Sequence, residues 1–233
     1  MTALVDLWPK ILAVRHIPQV DAQLAGALGL DPARHRSAGL VTCDQDDAMY
    51  VALDHATKYA GVDVVFGRSF YAGSAHASGP FSGEVLGILA GEDPDEVAEG
   101  LSALCTHLRT AVRFQTFPGE DGKGGGQPTF LAHVISETGK YLPPQAGIRA
   151  GEPMAYLIAP PIESVLGVDA ALKAAEVKLA KLIQPPSETN FGGAFLTGAL
   201  PALEAARDAF VEAIASVART PLDGLRKAAY ERR

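Results

Sequence analysis

Apolar residues along the chain follow two rhythms. Val97, Leu101, Leu104 and Leu108 recur at three- and four-residue intervals, the stripe of a helix that buries one face. That spacing predicts a helix over 94–107, and a similar pattern predicts another over 201–217. Outside those helices lie short, nearly unbroken apolar runs at 11–16, 39–44, 62–67, 84–91, 130–136, 154–161 and 178–183. Such runs read as strands. Further helices are expected to start near Met49 and Val168. Strands and helices in this order predict an α/β fold, an α+β sandwich with helices on mainly antiparallel sheets. Two stretches fit neither rhythm: "FGRSFYAGSAHASGPFSGE" at 66–84 and "QPPSETNFGG" at 184–193. Both read as long loops.

The pattern is written twice. "PKILAVRHI" from Pro9 is echoed by "PTFLAHVIS" from Pro128. "LDHATKYAGVDVV" from Leu53 is echoed by "VDAALKAAEVKLA" from Val168, each with Asp-x-x-x-Lys, at Asp54/Lys58 and Asp169/Lys173. "GEVLGILAG" and its helix are echoed by "GAFLTGALPALEAARDAF". Three echoes in one order argue for duplication. The expected division is a first domain over 1–117, a Gly-rich linker over 118–127 and a second domain over 128–233. The linker's glycines follow no strand and precede no helix, so a phosphate-binding loop is not supported. The i,i+4 spacing of each Asp/Lys pair suits an intrahelical ion pair giving roughly 0.2 to 0.5 kcal/mol.

Composition narrows the function. The chain has 233 residues, 48% of them hydrophobic and 20% charged, enough for a packed core. No apolar run is long enough to span a membrane. The first residues lack a basic stretch followed by an apolar core, so no secretory signal is expected and a cytoplasmic protein is. The net charge is −7, and no basic stripe appears except the tail "LRKAAYERR", which argues against nucleic acid as a partner. Cys43 and Cys105 read as two small buried residues. His16, His35, His55, His76, His107 and His133 show no metal-binding spacing. There is no Gly-x-Ser-x-Gly, so Ser187 lacks a nucleophile elbow. No catalytic constellation and no cofactor motif is found. Asp44, Asp46 and Asp47 follow a strand, where carboxylates cap a helix and meet its positive end.

"GRSFYAGSAH", "FLAHVISETGKYL", "PMAYLIAPP", "DAALKAAEVKLA" and "PPSETNFGGAFLTG" together resemble the EutL-type tandem-domain shell proteins of ethanolamine-utilisation bacterial microcompartments. The resemblance covers roughly residues 5 to 220. It implies two circularly permuted shell domains and a homotrimer shaped like a hexamer. It also implies tiling with other shell proteins and a central pore whose loops open and close. On that reading the two long loops are the gate, with Phe70, Tyr71, Ala72, Gly73 and His76 in the first. Ser187, Glu188, Thr189 and Asn190 stand in the second. Glycines tolerate more than one backbone state, and aromatics supply bulk to plug a hole.

The resemblance also implies a site for ethanolamine, a small cation with one hydroxyl. Asp46 and Glu84 match its charged positions, Phe114 its aromatic face and Thr189 its loop contact. A cation over an aromatic face gains roughly 0.5 to 2 kcal/mol. Lys58 and Lys173 match positions at tile edges, where the stem packs and the ammonium stays hydrated. Symmetry copies of His76 could meet at the pore, which makes it the one candidate for a chance metal or pH response. Two other functions stay open at this point. One is a soluble sensor of a small amino alcohol that never tiles; the other is a small-molecule enzyme using the Asp/Glu cluster.

Overall fold

The computed structural model describes residues 3–69, 85–119, 128–185 and 191–223. The first half of the chain runs β1 (Val5–Leu7), β2 (Ile11–Ile17), α1 (Ala22–Leu28), β3 (Ser37–Cys43), α2 (Asp46–Tyr59), β4 (Asp63–Ser69), β5 (Val85–Gly91) and α3 (Pro94–Thr110). The second runs β6 (Phe114–Thr116), β7 (Thr129–Ile135), α4 (Pro143–Ala146), β8 (Met154–Ala159), α5 (Pro161–Ala174), β9 (Val177–Ile183), β10 (Gly192–Gly198) and α6 (Leu200–Arg219).

Two compact units form. One gathers Leu7–Phe114 and Ile135–Met154; the other gathers the chain up to Asp6, 115–134 and the chain from Ala155 onward. The first unit holds a four-stranded sheet in the order β2-β3-β5-β4. The six-stranded sheet has the order β1-β6-β7-β8-β10-β9. The duplication expected from the echoes is visible here, because β2-β3-β5-β4 is repeated as β7-β8-β10-β9. Helices α2 and α5 are both 14 residues long. A left-handed glycine ends α1 (Gly29, φ 69°) and α4 (Gly147, φ 67°).

The apolar runs become strands whose burial follows their place in the sheet. The central strand β8 is buried along its whole length, whereas the edge strand β9 is mostly exposed. Strand order thus explains why "MAYLIA" is apolar throughout and "VKLAKLI" carries two lysines. The stripe Val97, Leu101, Leu104 and Leu108 is buried on α3 as expected. Its start is set by Asp93, which accepts a hydrogen bond from the Asp95 N–H (2.9 Å), and by Pro94 in the first turn. Leu101 lies so close to β3 that a Cβ on Gly39 would come within 2.6 Å of it. In the other unit Phe130, Leu157, Leu196, Leu203, Phe210 and Ile214 form one core.

Several expectations shift. Residues 66–69 of the first long loop belong to β4, paired down to Ser69 against Val85. Gly192 and Gly193 of the second belong to β10. Helix α2 begins at Asp46 and α5 at Pro161, because two acidic residues and a proline suit a first turn. Strands β1 and β6, three residues each, are too short to leave a pattern. Cys105 is only half-buried, unlike Cys43.

The paired motifs Asp54/Lys58 and Asp169/Lys173 turn out differently. Lys173 Nζ lies 2.6 Å from Asp169 Oδ2, the expected ion pair. Asp54 is instead buried and turned to backbone. Its carboxylate accepts from the N–H groups of Gly139 (2.6 Å), Tyr141 (2.9 Å) and Leu142 (2.9 Å). The Thr57 hydroxyl accepts from the intervening Lys140 N–H (2.8 Å). Lys58 Nζ donates to the Glu137 carbonyl (2.8 Å). A buried carboxylate with three N–H donors is fully served, and the local ion pair is superseded. Removing it strands three donors, two of them buried and one partly so, and Asp54→Ala should lose about 3–5 kcal/mol in a urea titration. Asp169→Ala, at an exposed pair, should change stability by less than about 0.5 kcal/mol. Equal losses in the two variants would contradict the distinction.

Candidate functional site

The start of α2 collects the described part of the expected ligand site. Chain leaving β3 at Cys43 passes Asp44, whose carboxylate accepts from the Lys10 N–H (2.7 Å). Asp44 therefore fixes the approach to β2 and does not cap the helix. Gln45 occupies the cap position without a capping side-chain bond. Its amide bridges two other segments, donating to the Leu7 carbonyl (2.8 Å) and accepting from the Phe114 N–H (3.3 Å). Phe114 is thereby tied to the residue preceding Asp46. Its ring is buried, so it offers an apolar surround and not an open face. Beside it in sequence, the Arg113 guanidinium lies 4.7 Å from the centre of the half-exposed Trp8 ring. Neither the Gln45 bridge nor this cation–π pair had a signal in the sequence beyond residue type.

Asp46 opens the helix. Its Oδ1 accepts from the Asp47 N–H (2.8 Å), and the Ser69 hydroxyl also bonds to it. Burial pushes its carboxyl above the ordinary 3.8, and the hydrogen bonds from Asp47 and Ser69 only partly counter this. Ser69 is the last residue of β4, where the chain departs into 70–84. Val85, where the chain returns, is paired with both Ser69 and Cys43. The Asp46 carboxylate is thus bonded to the foot of the first long loop. Glu84, Phe70, Tyr71, Ala72, Gly73 and His76 lie outside the described residues, as do Ser187, Glu188, Thr189 and Asn190. So does 120–127 of the expected linker.

Four of the described histidines have identified partners. His16 bonds to the Ser37 hydroxyl (2.9 Å) and His35 to Asp63 (3.1 Å). His55 stacks on His107, with ring centres 3.9 Å apart. Burial, with the Lys58 charge nearby, lowers the His55 pKa from 6.5 to about 4, so the ring is neutral at pH 7. Among the described residues no three His, Cys, Asp or Glu side chains are grouped to hold a metal ion. No described helix is long and apolar enough to cross a membrane.

Known proteins share this fold. No family model matches the chain. The bacterial microcompartment shell protein EutL of Escherichia coli (strain K12) is 48% identical over 222 residues, 95% of this chain and 99% of that protein. The chain belongs to the EutL family of bacterial microcompartment shell proteins. The crystal structure of the ethanolamine utilization protein EutL from Leptotrichia buccalis superimposes with a TM-score of 0.88 at 48% identity. That match covers 96% of this chain and 100% of the other. A trimeric shell protein, PduB, shares the fold at 20% identity and a TM-score of 0.68, over 86% of this chain and 85% of its own. Membership makes this chain a structural shell protein and removes the enzyme alternative.

The raised Asp46 pKa has a consequence for stability. Between 3.8 and the higher folded value, the folded chain holds a proton that the unfolded chain has released. Stability therefore falls as pH rises through that window, and the loss persists at neutral pH. Asp46→Asn should raise Tm at pH 7 by about 2–4 °C. The gain should vanish below the ordinary carboxylate pKa in thermal melts across pH. A variant that is less stable at pH 7 than at pH 3, relative to the parent, would reverse the assignment.

Proposed function

We propose that this EutL-family chain works as a trimer shaped like a hexamer, tiling into a microcompartment shell and gating a central pore. The halves are assigned as 1–117 and 128–233, joined by 118–127. The gate is assigned to the two long loops, with Phe70, Tyr71 and His76 in the first and 187–190 in the second. Asp46, Glu84, Phe114 and Thr189 are assigned to a small amino alcohol such as ethanolamine, the compound in the name of the Leptotrichia relative. One observation carries this reading. Asp46 is a partly buried carboxylate, and it is bonded to Ser69, from which 70–84 departs. A cation arriving at Asp46 acts on the loop through that bond.

Binding of so few atoms is necessarily weak, at most about 1.5 kcal/mol per heavy atom. Ligand contacts on Asp46 and Glu84 join the helix start to the end of the first loop, which favours the closed pore. Calorimetry with ethanolamine should show weak binding that disappears in Asp46→Ala and Glu84→Ala. Hydrogen exchange across 70–84 should slow with ethanolamine in the parent and stay unchanged in Asp46→Ala. Faster exchange on adding ligand would mean that the ligand opens the pore.

Tile edges are assigned to Lys58 and Lys173. The two are unequal as tests, since Lys58 also holds the Glu137 carbonyl. Among the described residues Lys173 makes only an exposed ion pair within its helix. Lys173→Asp should therefore abolish sheets in electron micrographs and leave the particle's mass unchanged. Sheets that persist would contradict the edge assignment.

A further inference from the structure

A groove opens over the start of β4. Two neighbouring cavities there, of about 230 and 340 Å³, share Arg34, Asp63 and Lys140 in their walls. The larger is also lined by Val64, Tyr141 and Pro144. All of these residues belong to the unit of Leu7–Phe114 and Ile135–Met154. Thr57, near the end of α2, borders the larger cavity. Asp46 opens the other end of that helix, about 16 Å away by helical rise.

Both cations stand on fixed backbone. The Arg34 N–H bonds to the Asp31 carbonyl (3.0 Å), the Ala33 N–H to the Asp31 carboxylate (3.0 Å) and the Arg36 N–H to the Gly91 carbonyl (2.9 Å). Lys140 lies inside the clamp on α2, its N–H bonded to the Thr57 hydroxyl. Two positive charges far apart in sequence are thus brought to one groove by main-chain bonds, which cuts the ordering cost of binding.

Their side chains have donors to spare. Asp63 Oδ2 accepts from Arg34 Nη2 and from His35 Nε2 (3.1 Å). The Asp31 N–H donates to His35 Nδ1 (3.0 Å), so the ring carries its proton on Nε2, toward Asp63. Asp63 therefore grips the guanidinium by one nitrogen. The Arg34 side chain is 64% exposed. Among the described residues its Nε and Nη1 make no hydrogen bond, and neither does the exposed Lys140 ammonium. The repeated fold does not demand these charges. Ile17 and Gly29 match Ile135 and Gly147 at one offset, which pairs Lys140 with Ala22 and Arg34 with Glu152. The first residues of β4 and β9 pair Asp63 with Val177. The second half keeps the strands and has neither cation.

We infer that this groove binds a small phosphate monoester, with the phosphate between Arg34 and Lys140 and the organic part over Val64, Tyr141 and Pro144. Phosphate oxygens suit a guanidinium fork and an ammonium point charge. A monoester carries close to two negative charges at neutral pH, which matches two cations, whereas a carboxylate balances only one. The apolar side of the larger cavity has room for an organic group that inorganic phosphate lacks.

Calorimetric titration of the full chain with phenyl phosphate, inorganic phosphate and benzoate tests this. Phenyl phosphate should bind most tightly, and added salt should weaken it. Lys140→Met and Arg34→Gln should each weaken it about tenfold, with circular dichroism verifying the fold. Lys140→Met removes no side-chain bond seen in the fold, so it decides the matter even if Arg34→Gln unsettles the 31–36 turn. Asp46→Ala should leave phenyl phosphate binding unchanged, which keeps this result separate from the amino-alcohol reading. No binding of phenyl phosphate, or equal affinity in the parent and Lys140→Met, would overturn the proposal. Benzoate binding as tightly would overturn the phosphate assignment, and inorganic phosphate binding as tightly would overturn the place given to the organic part.

Discussion

Four consecutive backbone N–H groups, from Gly139 to Leu142, find their acceptors in the side chains of Asp54 and Thr57. Irregular chain cannot be buried unless such groups are satisfied, and a buried carboxylate cannot persist without donors. Each requirement answers the other. The consequence is topological: 135–154 is later in sequence than 85–119, yet it packs into the unit built by the earlier strands. It also fixes α2, and with α2 the position of Asp46 at its start. Gly139 is obligatory in this arrangement, because a side chain there would collide with the Asp54 carbonyl and the Thr57 hydroxyl.

Much of the fold was legible because periodicity reports burial. The stripe on α3, the run "MAYLIA" and the order of elements in each half all follow from which faces meet a core. The duplication that the strand orders display was anticipated by three sequence echoes. What failed were features set by long-range partners. Asp54-x-x-x-Lys58 and Asp169-x-x-x-Lys173 are the same local motif, and a local rule gives both the same ion pair. The segment 139–142 overrides the rule in one half only, and no window of a few residues contains that information. The Gln45 bridge to Leu7 and Phe114 is hidden for the same reason. At the ligand site, residue type pointed to Asp46, but its burial and its bond to Ser69 needed the fold.

Asp46 and Asp54 show two ways of keeping a carboxylate out of water. Asp54 is served by backbone donors and holds two segments together. Asp46 is left with fewer bonds than its burial demands, so its charged form is disfavoured. A group kept in that condition gains from an arriving cation, since the cation supplies the missing stabilisation where the protein does not. Stability is given up at the start of α2, beside the chain that leads to 70–84, and retained at the clamp.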